Sequence, residues 1–129
     1  MAEEDLERLK AVYTELAKGN LRAGFDLFAP DISYEPIADG RESLSREGSV
    51  RFMREFVAQW DDFRIEAKGF EQLGDTILVT ERQSGTGRAS RIEIDMTAYA
   101  AWTFRDGLVT RARWSLDRDD ALDDAGLAD

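Results

Sequence analysis

The sequence predicts an α+β fold in which a curved antiparallel sheet wraps over segregated helices, with a short helix after the last strand. Three observations carry this. The first sixty or so residues repeat apolar side chains at helical spacing, interrupted by one short extended run. The remainder alternates apolar and polar residues with period two, and turn-forming pairs cut that half into hairpins. Helices and strands segregated in this way bury a helix stripe against one sheet face. The 129 residues are read as one domain, 1–129, large enough to bury roughly two-thirds of the surface the unfolded chain exposes.

Leu6, Leu9, Val12, Tyr13 and Leu16 share one face, which predicts an amphipathic helix ending at Gly19. Asn20 is placed to cap a second, shorter helix whose Leu21, Phe25 and Phe28 recur about once per turn before Pro30 stops it. A strand follows over 31–37, then the polar loop ADGRESLS. A third helix over 46–60 carries Val50, Met53, Val57 and Trp60 as a stripe, widened by Phe52 and Phe56. Alternation beginning at Phe63, Thr76, Ile92 and Val109 predicts four strands. Gly74-Asp75, the SGTG stretch at 84–87 and Arg105-Asp106-Gly107 are the expected turns. In LDRDDALDDAGL, Asp117 reads as an N-cap, Asp119 and Asp120 lie where the helix dipole favours anions, and Gly126 is the stop.

Composition excludes several functions. A net charge of -10 argues against a nucleic-acid partner, because binding phosphates needs a clustered positive field and the arginines here are dispersed among acids. No apolar stretch approaches the ~20 residues of a membrane span, so no membrane partner is expected. The opening MAEEDLERLK is acidic and lacks the apolar core of a secretory leader. With no cysteine the chain fits a cytoplasmic location. The absence of histidine and cysteine removes thiol nucleophiles, the usual zinc sites and a Ser-His triad, leaving proton transfer to acids and tyrosines. No metal and no cofactor are expected. The stretch SGTGRAS joins strand to strand with no helix N-terminus to supply amides to a phosphate, so it reads as a hairpin.

The strand faces locate a candidate pocket. Ile92, Ile94, Met96, Ala98, Ala100, Trp102 and Phe104 share a face, as do Ala112, Trp114 and Leu116, and both sets are expected to line the interior. The alanines leave room rather than filling it. Opposite them stand Glu93, Asp95, Thr97, Tyr99, Arg111 and Arg113, suited to solvent, cross-strand ion pairs or a hydrated dimer interface. Glu81 is in phase with Ile77, Val79 and Gln83. It either follows them inward, where burial raises its pKa and makes it an acid/base candidate, or extends past the core and pairs with Arg82 or Arg91. Tyr34 has the parity of Pro36, which is inward, and its hydroxyl either orients a ligand or is satisfied within the core. Trp60, Trp102 and Trp114 read as core or pocket wall, a composition suited to a flat apolar ligand. Glu66 lies opposite Phe63 and Ile65 and is expected to be exposed.

The stretch AKGNLRAGFDLFAPDISYEP, the WDDF before the second strand and the closing WTFRDGLVTRARWSLDRDDALDDAGL together resemble the NTF2-like superfamily, in particular its SnoaL-like branch. The resemblance covers nearly the whole chain. It implies a cone-shaped fold (a cystatin-like roll), a mostly apolar pocket in its mouth and dimerisation through the outer sheet face. The superfamily's ketosteroid isomerases use an aspartate base on the first strand, with a tyrosine and a protonated aspartic acid as oxyanion hole. Aligned on the shared pattern, Pro36 stands at the base position with Glu35 one residue early, Val12 stands at the tyrosine position with Tyr13 one residue late, and Ala100 replaces the aspartic acid. One residue on a strand reverses a side chain, so Glu35 faces outward unless a bulge beside Pro36 turns it back.

The sequence therefore supports a pocket for a small hydrophobic metabolite, with cofactor-free acid/base chemistry of an isomerase, cyclase or hydrolase. Glu81 or a re-registered Glu35 would be the base, Tyr34 a hydrogen-bond donor, and Trp60, Ala100, Trp102 and Trp114 the wall. The competing reading is a non-catalytic ligand-binding or dimerisation module. A homodimer is expected in either case.

Overall fold

A computed structural model of the chain describes residues 2–36 and 43–122. Ile37, most of the ADGRESLS loop and Gly126 lie outside the described residues. The elements run α1 (Ala2–Ala17), a 3-10 helix (Ala23–Leu27), β1 (Phe28–Pro36), α2 (Arg46–Val57), β2 (Trp60–Leu73), β3 (Thr76–Gly87), β4 (Glu93–Arg105), β5 (Leu108–Ser115) and α3 (Arg118–Leu122). The strands form one five-stranded sheet in the order β1-β5-β4-β3-β2. Strands β2 to β5 are an antiparallel meander, whereas β1 joins the edge parallel to β5. That parallel pair departs from the all-antiparallel expectation. The chain needs the long excursion through α2 and the meander before β5 returns alongside β1.

Helix α1 lays Leu9, Val12, Tyr13 and Leu16 against the concave face of the sheet, where they meet Phe63, Ile65, Ile77, Val79, Trp102 and Phe104. The turn from β4 to β5 is held by Asp106 and Gly107, both at positive φ, the two-residue geometry that matches strand twist. Register shifts between Asp61 and Arg64 and between Ala67 and Gly69 mark irregularities that bend β2, and Asp62 adopts φ 53° at the first. Ser45 caps α2 by accepting from the Gly48 amide at 3.1 Å. Asp117 caps α3 as expected, its Oδ1 accepting from the amides of Asp119 at 2.8 Å and Asp120 at 3.1 Å.

Several expectations are corrected. Asn20 caps nothing, because the second helix is a single 3-10 turn starting after Arg22, and the Asn20 amide donates instead to Glu15. Phe28 belongs to β1, and Pro30 sits exposed on that edge strand, where no ladder amide is required. Helix α2 stops at Val57, so Trp60 opens β2. The SGTG stretch is strand, and the reversal comes later, at 88–92. Its glycine at 85 is explained by close approach, since a Cβ there would stand 3.3 Å from the Phe63 Cα. Ile92 and Leu116, expected in the interior, are 64% and 53% exposed, because both lie just past a strand end.

Helix α3 was expected, but its resting place was not. It folds onto the outer face of the sheet, burying Ala121 and Leu122 against Leu78 and Ala101. The sheet is therefore apolar on both faces along part of β3 and β4, and only the remainder of the outer face is polar.

Candidate functional site

Between the concave face, α2 and the 3-10 helix lies a cavity walled by Phe25, Phe28, Phe52, Phe56, Trp102 and Trp114. The centre of a water molecule can sweep about 70 Å³ of it. One water needs about 10–15 Å³ by that measure, so there is room for several waters or one compact ligand. Ala100 and Ala112 supply the space, since larger residues at those two positions would fill it.

Among the polar side chains that line this wall, two come from β3. Glu81 is 4% exposed and Gln83 is 3% exposed. The alternation that buries Ile77 and Val79 carries both inward, because β3 continues to Gly87 and stays paired with β4 along its whole length. Behind Glu81 stands Tyr13, brought by α1 and packed edge-on against Phe70 at 5.7 Å and Trp102 at 6.0 Å.

These groups form one directed hydrogen-bond chain. The Trp102 indole N–H, which can only donate, donates to the Tyr13 hydroxyl oxygen at 3.0 Å. The Tyr13 hydroxyl proton then points the other way, and it is donated to Oε2 of Glu81. Gln83 Nε2 donates to the other carboxylate oxygen at 2.9 Å. Burial pushes the Glu81 carboxyl above the ordinary carboxylate value, while the bonds from Tyr13 and Gln83 oppose that shift. Burial also drives the Tyr13 phenol well above its usual value, with the charge of Glu81 adding to it. A carboxyl held this way, at an apolar wall and short of water, is equipped to exchange a proton with a bound molecule.

The other sequence candidates separate into two groups. Tyr34, Ala100, Trp102 and Trp114 join Glu81 in lining the cavity, and Tyr34 packs between Phe28 at 6.3 Å and Phe52 at 6.1 Å. Trp60 does not line it. As the first residue of β2 it packs behind, against Phe56 at 6.3 Å and Phe63 at 6.4 Å. Glu35 is also outside. Residues Ser33 to Pro36 pair with Arg111 to Trp114 without interruption, and the one irregularity in β1 falls before Ser33, so no bulge turns Glu35 inward. Its carboxylate lies on the outer face, accepting from Arg111 Nε at 2.7 Å with Arg113 Nε at 3.3 Å. The hydrogen bond from Arg111 holds its carboxyl below the ordinary range despite partial burial, which suits an ion pair and not a base.

Sequence reasoning passed over Tyr13, set aside as one residue late for the isomerase position, and gave Gln83 no role. Both had a signal. Tyr13 belongs to the apolar stripe of α1, and Gln83 is a polar residue in phase with two buried aliphatics. Among the described residues no group of three or more acids is arranged to hold a metal ion.

A family model described as the SnoaL-like domain matches residues 9–112. No curated protein sequence matches the chain. Similar solved structures include an NTF2-like protein from Burkholderia thailandensis, with 18% identity over 85% of this chain and 88% of that one and a TM-score of 0.76. A protein of ketosteroid isomerase-like fold from Catenulispora acidiphila, in complex with trimethylamine, has 17% identity over 98% and 95%, with a TM-score of 0.72. TerC, co-crystallised with polyporic acid, has 18% identity over 88% and 91%, also at 0.72. At these identities the likeness is one of fold.

Proposed function

We propose that this chain, which belongs to the SnoaL-like domain family, binds a small, mostly apolar molecule in the aromatic cavity and performs cofactor-free acid/base chemistry on it with Glu81. The observation that carries the proposal is the Glu81 carboxyl, 4% exposed, on the wall of an apolar cavity with its two oxygens held by Tyr13 and Gln83. Burial raises its proton affinity above that of an ordinary carboxylate, and the two donors stabilise the carboxylate left after release. Tyr34, on β1 of the same sheet, also lines this cavity. Small-molecule binding is consistent with the fold's occurrence in proteins bound to trimethylamine and to polyporic acid.

A ligand screen by thermal shift tests the binding half. A compound at a hundred times its dissociation constant adds about 2.7 kcal/mol of stability. Each hit is then incubated with wild type and with Glu81→Gln, and products are followed by mass spectrometry. Turnover by wild type and none by Glu81→Gln supports the enzyme. Binding by both proteins with turnover by neither leaves a ligand-binding module, the second reading. That reading draws on the alignment, in which Pro36, Val12 and Ala100 stand at the three isomerase catalytic positions.

The proposal extends to a homodimer through the outer sheet face, on the part of β2 to β4 that α3 leaves open, where Arg82 bridges Glu66 and Asp95. Light scattering on the purified protein measures the assembly, and a monomer at micromolar concentration would remove this part.

A further inference from the structure

We propose that the cavity selects ring compounds that carry a hydroxyl group, through donation of that hydroxyl to Oε1 of Gln83. The inference rests on the reading of the cavity as a small-molecule site and specifies what the molecule must present.

The direction of the hydrogen-bond chain decides the polarity. Trp102 can only donate, so the Tyr13 oxygen accepts and its proton goes to Glu81. Gln83 donates its amide N–H to the other carboxyl oxygen of Glu81, and that choice fixes which end of the Gln83 amide is left over. The remaining end is the carbonyl oxygen. It is buried, lies on a side chain only 3% exposed that lines the cavity, and has no hydrogen-bond partner among the described residues. A buried acceptor gains from a donor brought by the ligand, and a ligand that covers it without donating leaves it unsatisfied.

The surroundings narrow the class. The aromatic walls favour a flat apolar body. A carboxylate or phosphate on the ligand would be placed beside Glu81, and Arg113, the one guanidinium of this wall among the described residues, is paired with Glu35 on the opposite face of the sheet. The indole N–H of Trp114, on the same cavity, is buried without a partner among the described residues and can only donate. A hydroxyl both donates and accepts, so an uncharged hydroxylated aromatic can answer both groups, whereas an ammonium group answers only one.

The test uses matched probes on the full chain near neutral pH: 2-naphthol, 2-methylnaphthalene and 2-methoxynaphthalene, with phenol, toluene and anisole as the smaller series. Affinities are read by calorimetry and thermal shift in wild type and in Gln83→Leu. We expect the hydroxyl compound to bind wild type about tenfold more tightly than its methyl and methoxy partners, the amount one satisfied buried acceptor contributes. In Gln83→Leu that preference disappears while the methyl compound still binds. The wild-type comparison needs no variant, so it stands if Gln83→Leu fails to fold. Equal or tighter binding of the ether in wild type overturns the inference and leaves the site intact, as does a hydroxyl preference that persists in Gln83→Leu. Failure of both series to bind wild type removes the small-molecule reading and this inference with it.

Discussion

Replacing Tyr13 by Phe takes one oxygen out of the buried chain and keeps the ring in its packing against Phe70 and Trp102. Two bonds are lost: the Trp102 indole N–H loses its acceptor, and Glu81 loses one of its two donors. A neutral buried hydrogen bond contributes about 1 kcal/mol and one to a charged group about 1.5–3 kcal/mol, so the cost should reach about 2.5–4 kcal/mol. At about 3–5 °C per kcal/mol for a domain of this size, Tm falls by roughly 8–20 °C. The pH dependence is the sharper part. The bond from Tyr13 lowers the Glu81 pKa against the effect of burial, so its loss raises that pKa further in the folded protein. The penalty is then largest where Glu81 is ionised in wild type and shrinks as pH falls and the carboxyl becomes protonated. Urea unfolding followed by tryptophan fluorescence at pH 5 and pH 8 measures both quantities. A cost under about 1 kcal/mol, or one equal at the two pH values, would refute the coupling of Tyr13 to an ionised Glu81.

Three further outcomes follow from the same geometry. Glu81 has a folded pKa raised by burial, so its contribution to stability is greatest below the unfolded value and is lost as pH rises through the folded one; Glu81→Gln should therefore melt above wild type at pH 8 and converge with it in acid. Glu35 has the opposite sign: its lowered folded pKa stabilises above the unfolded value and is lost as pH falls through the folded one. Glu35→Gln should cost about 1–2 kcal/mol at pH 7 after screening of this partly buried cluster, and progressively less as the pH falls through the folded value, by urea titration across that range. Asp117→Ala removes the acceptor for two amides of α3 and should cost about 1 kcal/mol, seen as earlier amide exchange at Ala121 and Leu122.

Periodicity made most of the fold legible. The apolar stripe of α1, the meander of β2 to β5 and the cap at Asp117 all follow from local pattern, and the structure reproduces them. The misplaced pieces are those decided by distant partners. Whether Gly85 turns or extends depends on Phe63, a neighbour on another strand. The parallel seat of β1 depends on β5, near the other end of the described chain. In the site, parity alone placed Glu35 outward and raised the inward option for Glu81, because strand phase is a local property. Tyr13 was missed for the converse reason. Its hydroxyl acquires meaning only when α1 sets it between Trp102 and Glu81, a meeting of three segments that no single-segment pattern contains.

The parallel pairing of β1 with β5 also bears on how the molecule is made. The meander from β2 to β5 closes through short hairpins, each a small entropic step. Joining Phe28 to Val109 instead encloses about eighty residues, the most non-local contact of the sheet and one that slows folding. The cavity draws one wall from the hairpin strands and another from Tyr34 and the segments flanking β1. It therefore becomes complete only when that long loop closes.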